Sequence, residues 1–124
     1  MTEILPEVND GELRRIEMPG DKTFTLTIET HDKEIRTLKL EGVEHLRCNN
    51  LLAGNVIFDI QKIEAPNLSD LARVTSLEGS VSEKGRDYLH DLRKAVQQGD
   101  LTFLRLESSY GCHLDALCRS FETG

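Results

Sequence analysis

With 124 residues and a formal net charge of −7, the chain has room for one domain built around one core. This charge argues against a nucleic-acid-binding or anionic-membrane-binding surface, because both need clustered lysine and arginine. The charge is compatible with a basic protein partner, although it also serves simply to keep a protein soluble. Tryptophan is absent and aromatic residues make up only 5% of the chain, so the core must consist mainly of leucine, isoleucine and valine.

The N-terminus has neither a basic start nor an apolar run as long as that of a signal peptide. The chain also lacks the run of about 18 apolar residues that a membrane-spanning helix needs. The chain has three cysteines, and an odd number of cysteines cannot all form disulfides within one chain. We therefore expect a cytoplasmic protein with reduced thiols and no membrane contact.

The first half of the chain is predicted to consist of short strands. Residues 1–10 show no regular spacing of apolar residues and are expected to form a partly ordered lead-in. The segment Thr23 to Thr30 alternates apolar with polar residues and pairs with Ile35 to Glu41 in a predicted hairpin. Further strands are predicted at Glu12 to Met18, Val43 to Cys48 and Val56 to Ile63.

One long helix is predicted at about residues 83–98. Ser80 or Ser82 can cap its start, with Ser80 and Glu83 at the spacing of a capping box, and Gly99 is a natural left-handed stop. The predicted apolar stripe that packs against the sheet is formed by Tyr88, Leu89, Leu92, Ala95 and Val96.

Two other segments leave alternatives open. Around Leu68 to Ala72 the apolar spacing fits a short helix, although the residues after it also fit an extended chain. Leu101 to Ser108 alternates as a strand, and Ser109-Tyr110-Gly111 has the composition of a turn. Residues 113–121 fit both a helix and a strand, and the preceding turn favours the strand of a closing hairpin.

Together these elements predict a single α+β domain over residues 1–124. We expect a mostly antiparallel sheet of about six or seven strands, curved or barrel-like, with the helix at 83–98 packed on it.

The sequence predicts no metal, cofactor or catalytic site. The cysteines and histidines lack the spacing of a zinc knuckle, and no phosphate-binding glycine motif follows a strand. Cys112 and His113 are adjacent, so on a strand they face opposite sides. Asp59 is buried and paired if its side of the sheet is covered, and an ordinary surface residue if that side is open; we favour the open alternative.

The order of several segments resembles that of small bacterial β-rich domains, some of which look like immunity proteins of bacterial toxin systems. The resemblance covers most of the chain in outline, and it implies a bacterial, cytoplasmic α+β domain that binds rather than catalyses. It is carried by NDGELRRIE, TFTLTIET, LKLEGVEHLRCNN, GNVIFDIQKI and LTFLRLESSYGCHLDALC.

These observations favour a non-catalytic interaction protein, such as an immunity-type inhibitor of a basic bacterial partner. The alternative is a small enzyme or small-molecule-binding domain with a cleft near residues 108–113. A homodimer formed through an edge strand is a third hypothesis. The predicted binding residues are Ser109, Tyr110, His113 and Asp59.

Overall fold

The computed structural model of the protein describes residues 1–77 and 82–124. Within these ranges the chain forms nine strands, two α-helices and one 3-10 helix, so the predicted α+β class is confirmed. The elements are β1 (Thr2–Glu3), a 3-10 helix (Pro6–Val8), β2 (Glu12–Gly20), β3 (Thr23–Glu29), β4 (Ile35–Glu41), β5 (His45–Asn49), β6 (Val56–Ile63), α1 (Leu68–Val74), α2 (Glu83–Gln98), β7 (Thr102–Tyr110), β8 (His113–Cys118) and β9 (Ser120–Thr123).

All the strands belong to one antiparallel sheet, ordered β5-β8-β7-β6-β2-β3-β4-β9, with β1 paired to β6. The prediction of six or seven strands is too low, because the pattern does not reveal the short strands β1 and β9. The barrel-like form of the prediction is also wrong, since the terminal strands β5 and β9 do not pair with each other and the path stays open. The path nevertheless folds back, because the backbone N–H of Arg119, between β8 and β9, donates to the carbonyl oxygen of Glu41 at the end of β4.

One face of the sheet encloses the main core. Apolar residues from strands that are distant along the path, such as Leu38 of β4 and Leu114 of β8, belong to one buried cluster. The sheet must curve around this cluster to bring them together. The predicted hairpin of β3 and β4 contributes with its alternating pattern, and its inward residues are Leu26, Ile28, Leu38 and Leu40.

Both helices pack on the opposite face of the sheet, where they form a second core with Ile63, Phe103 and Leu117. The helix α2 has the predicted bounds, and Ser82 caps its start, because the Ser82 Oγ accepts a hydrogen bond from the Gly85 N–H. The alternative cap at Ser80 lies outside the described residues. The buried stripe of α2 is narrower than predicted, because Tyr88 is 41% exposed. None of the helices in the described ranges is long and apolar enough to cross a membrane.

The helix α1 is a second helix, as the spacing around Leu68 allows. Asn67 caps it through a reciprocal pair of hydrogen bonds, in which the Asn67 side chain accepts from the Asp70 N–H and the Asp70 carboxylate accepts from the Asn67 N–H. Leu71 and Val74 of this helix enter the second core. This packing fixes a helix of only one to two turns, which has little stability by itself.

The segment predicted as a partly ordered lead-in contains the strand β1 and the 3-10 helix. Leu5 and Val8 are buried in the main core, Leu5 as the residue before the 3-10 helix and Val8 as its last residue. The Ile4 N–H also donates to the carbonyl oxygen of Ile60, which attaches this segment to β6. The apolar residues here are too irregularly spaced to reveal a strand or helix by period.

The chain closes with a hairpin, and the strand alternative for 113–121 is confirmed by β8 and β9. The strand β7 is longer than predicted and includes Ser109 and Tyr110, so the turn lies at Gly111 and Cys112. Gly111 has φ +96°, and a Cβ at this position would collide with the Asn55 side chain. The Asn55 Oδ1 accepts a hydrogen bond from the Cys112 N–H at 3.0 Å, which explains the close approach.

The thiols differ from the expectation of three reduced cysteines. Cys48 of β5 and Cys112 form a disulfide that spans 64 positions of sequence. Cys118 is free and buried, and burial raises the pKa of its thiol to about 11. The prediction failed because pairing depends on which strands are neighbours. The sequence pattern does not reveal that β5 lies beside β8.

Candidate functional site

A group of charged side chains lies on the helix-covered face of the sheet, beside the second core. The register of β6, β7, β8 and β5 aligns their side chains in three rows that cross the strands. The apolar row contains Ile63, Phe103 and Leu117, with His45 at its end. Next to it runs a second row, which we call the charged row and which consists of Arg105, Asp115 and Arg47 with the neutral Gln61 at its end. Beyond that lies a polar row of Asp59, Glu107, His113 and Asn49.

Arg105 is the centre of the charged row. Its Nε donates to Asp115 Oδ1 at 2.8 Å, and its Nη2 donates to Asp70 Oδ1 at 2.9 Å. Its guanidinium also lies 5.5 Å from the Phe103 ring centroid, within reach of a cation–π contact. Burial alone lowers the pKa of Arg105, but the hydrogen bonds and charges of Asp115 and Asp70 outweigh it and raise the pKa. Arg105 thus remains charged and joins α1 to the sheet.

Replacing Arg105 with alanine is expected to lower the free energy of unfolding by about 3 kcal/mol, because it leaves two mostly buried carboxylates without their cation. Urea unfolding of the Arg105→Ala variant measures this effect. The matched control is Arg15→Ala, whose side chain is 67% exposed and should cost less than about 1 kcal/mol. Adding Asp115→Ala to Arg105→Ala should cost less than the sum of the two single changes. Strict additivity would contradict the ion network.

An open cleft of about 350 Å³ lies above these rows. The Arg47 Nη1 donates to the carbonyl oxygen of Arg73 at 2.9 Å, and thus links β5 to the C-terminal end of α1. The Arg73 side chain is exposed and lines the cleft from the helix side. We call this the arginine cleft, and it is lined by Arg47, Asn49, Arg73, Arg105, Glu107, His113 and Asp115.

The arginine cleft brings positive and negative side chains together in equal number, whereas the whole protein carries a net charge of −7. Its lining holds three guanidinium groups and two carboxylates, and Asp70 adds a third carboxylate behind Arg105. The positive groups are concentrated on the β5 and α1 side, and Glu107 lies on the β7 side. The cleft can therefore bind an anionic group on one side and a cation or hydrogen-bond donor on the other.

Two of the four predicted binding residues belong to this region. His113 is exposed and lines the cleft. Asp59 is only 8% exposed, so the prediction of a surface residue is wrong. In the register of β6 and β7 it lies opposite Glu107. The register of β6 shifts between Ile57 and Asp59, as in a β-bulge. Phe58 is exposed at this bulge, whereas the side chain of Asp59 is buried. Gln61 Nε2 donates to Asp59 Oδ2 at 2.6 Å, but the buried Oδ1 has no hydrogen-bond partner within the described ranges.

The other two predicted residues do not line the cleft. Ser109 and Tyr110 are exposed at the end of β7, and the Ser109 Oγ lies 3.4 Å from the carbonyl oxygen of Val56 as a donor. Tyr110 pairs with Val56 across the strands and is 61% exposed. Strand β7 thus extends past the predicted turn and carries both residues beyond the cleft.

A second polar contact lies at the end of the apolar row. The His45 Nε2 and the Tyr88 hydroxyl are 2.7 Å apart, and the rings meet edge to face. Burial lowers the pKa of His45, against a smaller opposite effect of the Glu44 carboxylate. Burial likewise raises the pKa of the Tyr88 hydroxyl. Burial therefore favours the neutral forms of both side chains.

This shift of the His45 pKa predicts a loss of stability on mild acidification. The unfolded chain binds a proton at His45 near the ordinary pKa of 6.5, whereas the folded protein binds it only at a lower pH. The free energy of unfolding should thus fall as the pH drops below about 6.5. Urea unfolding at about pH 7.5 and about pH 5.5 tests this, and His45→Phe should reduce the difference. The exposed His90→Phe control should leave it unchanged.

Most residues of the arginine cleft were missed because each looks ordinary in sequence. The sequence did contain one signal. In a hairpin whose turn is centred on Tyr110, the residue a given number of positions before Tyr110 lies opposite the residue the same number of positions after it. This pairing therefore places Arg105 opposite Asp115, and each of these charges is flanked on both sides by apolar residues. Arg47 and Arg73 carry no comparable signal, because β5 and α1 reach the site through long-range packing.

Within residues 1–77 and 82–124 no group of three or more histidine, cysteine, aspartate or glutamate side chains could hold a metal ion. No family model matches the chain, and no curated protein or solved structure matches it either. Any function must therefore be argued from the site itself.

Proposed function

We propose that the protein is a non-catalytic binding protein that holds its ligand in the arginine cleft. The observation that carries this proposal is the fixed arrangement of charges around Arg105. Both Asp70 and Asp115 hold its guanidinium, so the floor of the cleft is organised before any ligand arrives. Preorganised charges reduce the cost of ordering side chains on binding.

The position of the cleft also supports a binding role. Its walls come from a sheet and from a capped helix, which hold side chains more precisely than loops do. The volume of about 350 Å³ lies in the range of small-ligand sites. The alternative hypothesis from the sequence placed a cleft near residues 108–113. The arginine cleft includes His113 from that range, but most of its lining comes from β5, α1 and other parts of β7 and β8.

The cleft can be tested while its ligand is still unidentified. Wild type, Arg73→Glu and Arg86→Glu are each dialysed against a cell extract, and the retained compounds are identified by mass spectrometry. The two variants carry the same change of charge, and both positions are exposed on helices. Compounds retained by wild type and Arg86→Glu should be lost with Arg73→Glu. Equal retention by all three proteins would contradict a binding role for the cleft.

A second candidate is the immunity-type inhibitor of a basic bacterial protein, and the observation in its favour is the net charge of −7. Such a charge accelerates the encounter with a basic partner, and the acceleration weakens as salt screens it. Co-expression with a basic toxin encoded beside this gene should restore growth. Failure to restore growth, or the lack of such a neighbouring gene, would contradict this role. A homodimer formed through an edge strand stays a prediction, which sedimentation analysis can test.

A further inference from the structure

We infer that the arginine cleft takes a zwitterionic ligand of short-peptide size, with its carboxylate towards Arg73 and its ammonium group towards Glu107. This inference rests on the proposed function and names the ligand class. Its basis is the separation of charge inside one cleft, since a site for a simple anion would not need a carboxylate in its lining.

The anionic end of the ligand belongs on the β5 and α1 side. There the Arg73 side chain faces the cleft at the end of α1, and the Arg47 Nη1 donates to the Arg73 carbonyl oxygen beneath it. Arg105 adds little to this attraction, because Asp70 and Asp115 already neutralise it. A guanidinium group matches a carboxylate in geometry and binds it through paired hydrogen bonds.

The cationic end belongs on the β7 side. Glu107 is exposed and lines the cleft, and Asp59 lies directly across from it on β6. The Asp59 Oδ1 is buried without a partner in the described part of the chain, which is a costly state for a carboxylate oxygen. An ammonium group bound at Glu107 would bring donors and a positive charge next to this carboxylate pair.

The distance between the two ends sets the size of the ligand. The strand β8 separates Glu107 on β7 from Arg47 on β5, and the two positions also lie in adjacent rows, two residues apart along the strands. Two strand spacings across the sheet and two residues along it give a separation of about 12 Å. Three residues of extended peptide span at most about 10 Å, and the glutamate and arginine side chains are long enough to cover the remaining distance. A single amino acid is too short to reach both ends unless its side chain carries one of the charges.

Triglycine is therefore the probe, because it has both charged ends and no side chains. Its matched analogues are N-acetyl-triglycine, which lacks the ammonium group, and triglycinamide, which lacks the carboxylate. Amide chemical shifts of the ¹⁵N-labelled protein are followed during titration with each compound. Triglycine should shift the signals of residues 47–49, 73, 107 and 113. Each analogue should bind at least about tenfold more weakly, as the loss of one charged hydrogen bond implies.

Two variants assign the ends. Glu107→Gln should remove the preference for triglycine over N-acetyl-triglycine, and Arg73→Ala should remove the preference over triglycinamide. The exposed Arg86→Ala variant should retain both preferences. The inference would be overturned if triglycine and its two analogues bound equally well. It would also be overturned if triglycine did not shift the amide signals of the cleft residues. In either case, loss of retained cell-extract compounds in Arg73→Glu would still support the cleft as a binding site. The two proposals can therefore fail separately.

Discussion

Replacing Leu92 with aspartate is expected to unfold the protein at room temperature. Leu92 is 6% exposed and lies in the second core, where α2 packs on the sheet. Removing a buried leucine costs about 2–5 kcal/mol, and placing an unpaired carboxylate in the same apolar site adds several more. The sum is comparable to the whole stability of a small domain, which is about 5–15 kcal/mol.

Circular dichroism and thermal melting measure the effect of Leu92→Asp. The control is His90→Asp, which introduces the same charge at an exposed position of the same helix and should change the melting temperature little. A cooperative melting curve near that of the wild type would mean that α2 does not bury this side chain. The packing of the helix on Phe103 and Leu117 would then be wrong as well.

Reducing the disulfide between Cys48 and Cys112 is expected to lower the free energy of unfolding by about 4 kcal/mol. The bond closes a loop of 64 positions, and loop closure of this length removes that much conformational freedom from the unfolded chain. Urea unfolding with and without a phosphine reductant measures the difference. A double variant, Cys48→Ser with Cys112→Ser, should unfold at the same urea concentration with and without reductant.

The count of thiols provides an independent check on the disulfide. The denatured, unreduced protein should react at one thiol, Cys118, and the reduced protein at three. In the native state Cys118 should react slowly, because burial raises its pKa to about 11 and leaves little thiolate at neutral pH. Three reactive thiols in the denatured, unreduced protein would contradict the disulfide and restore the expectation of reduced cysteines.

The disulfide also bears on the arginine cleft. Cys48 lies between Arg47 and Asn49 on the terminal strand β5, and Cys112 precedes His113 on β8. The bond therefore fixes β5 to its neighbour β8 at the point where both strands line the cleft. Titrations with triglycine should be made on the oxidised protein for this reason.

Local patterns determined the elements that depend on nearby residues alone. The hairpin of β3 and β4 follows from alternation of apolar and polar residues, and α2 follows from its apolar stripe together with a serine cap and Gly99. These signals are short-range, because a strand period or a helix cap involves residues within a few positions of each other. For the closing segment the sequence allowed both a helix and a strand and favoured the strand, and this segment does pair with β7.

Only the tertiary structure decided where the chemistry lies. The arginine cleft joins β5, α1, β7 and β8, which are up to 68 positions apart, counted from Arg47 to Asp115. Burial of Asp59 and pairing of Cys48 with Cys112 depend in the same way on which strands become neighbours. Strand order is set by the packing of the whole sheet around one core, and no local pattern encodes it. The sequence by itself therefore determined the kinds of element, and the tertiary structure decided which charges meet.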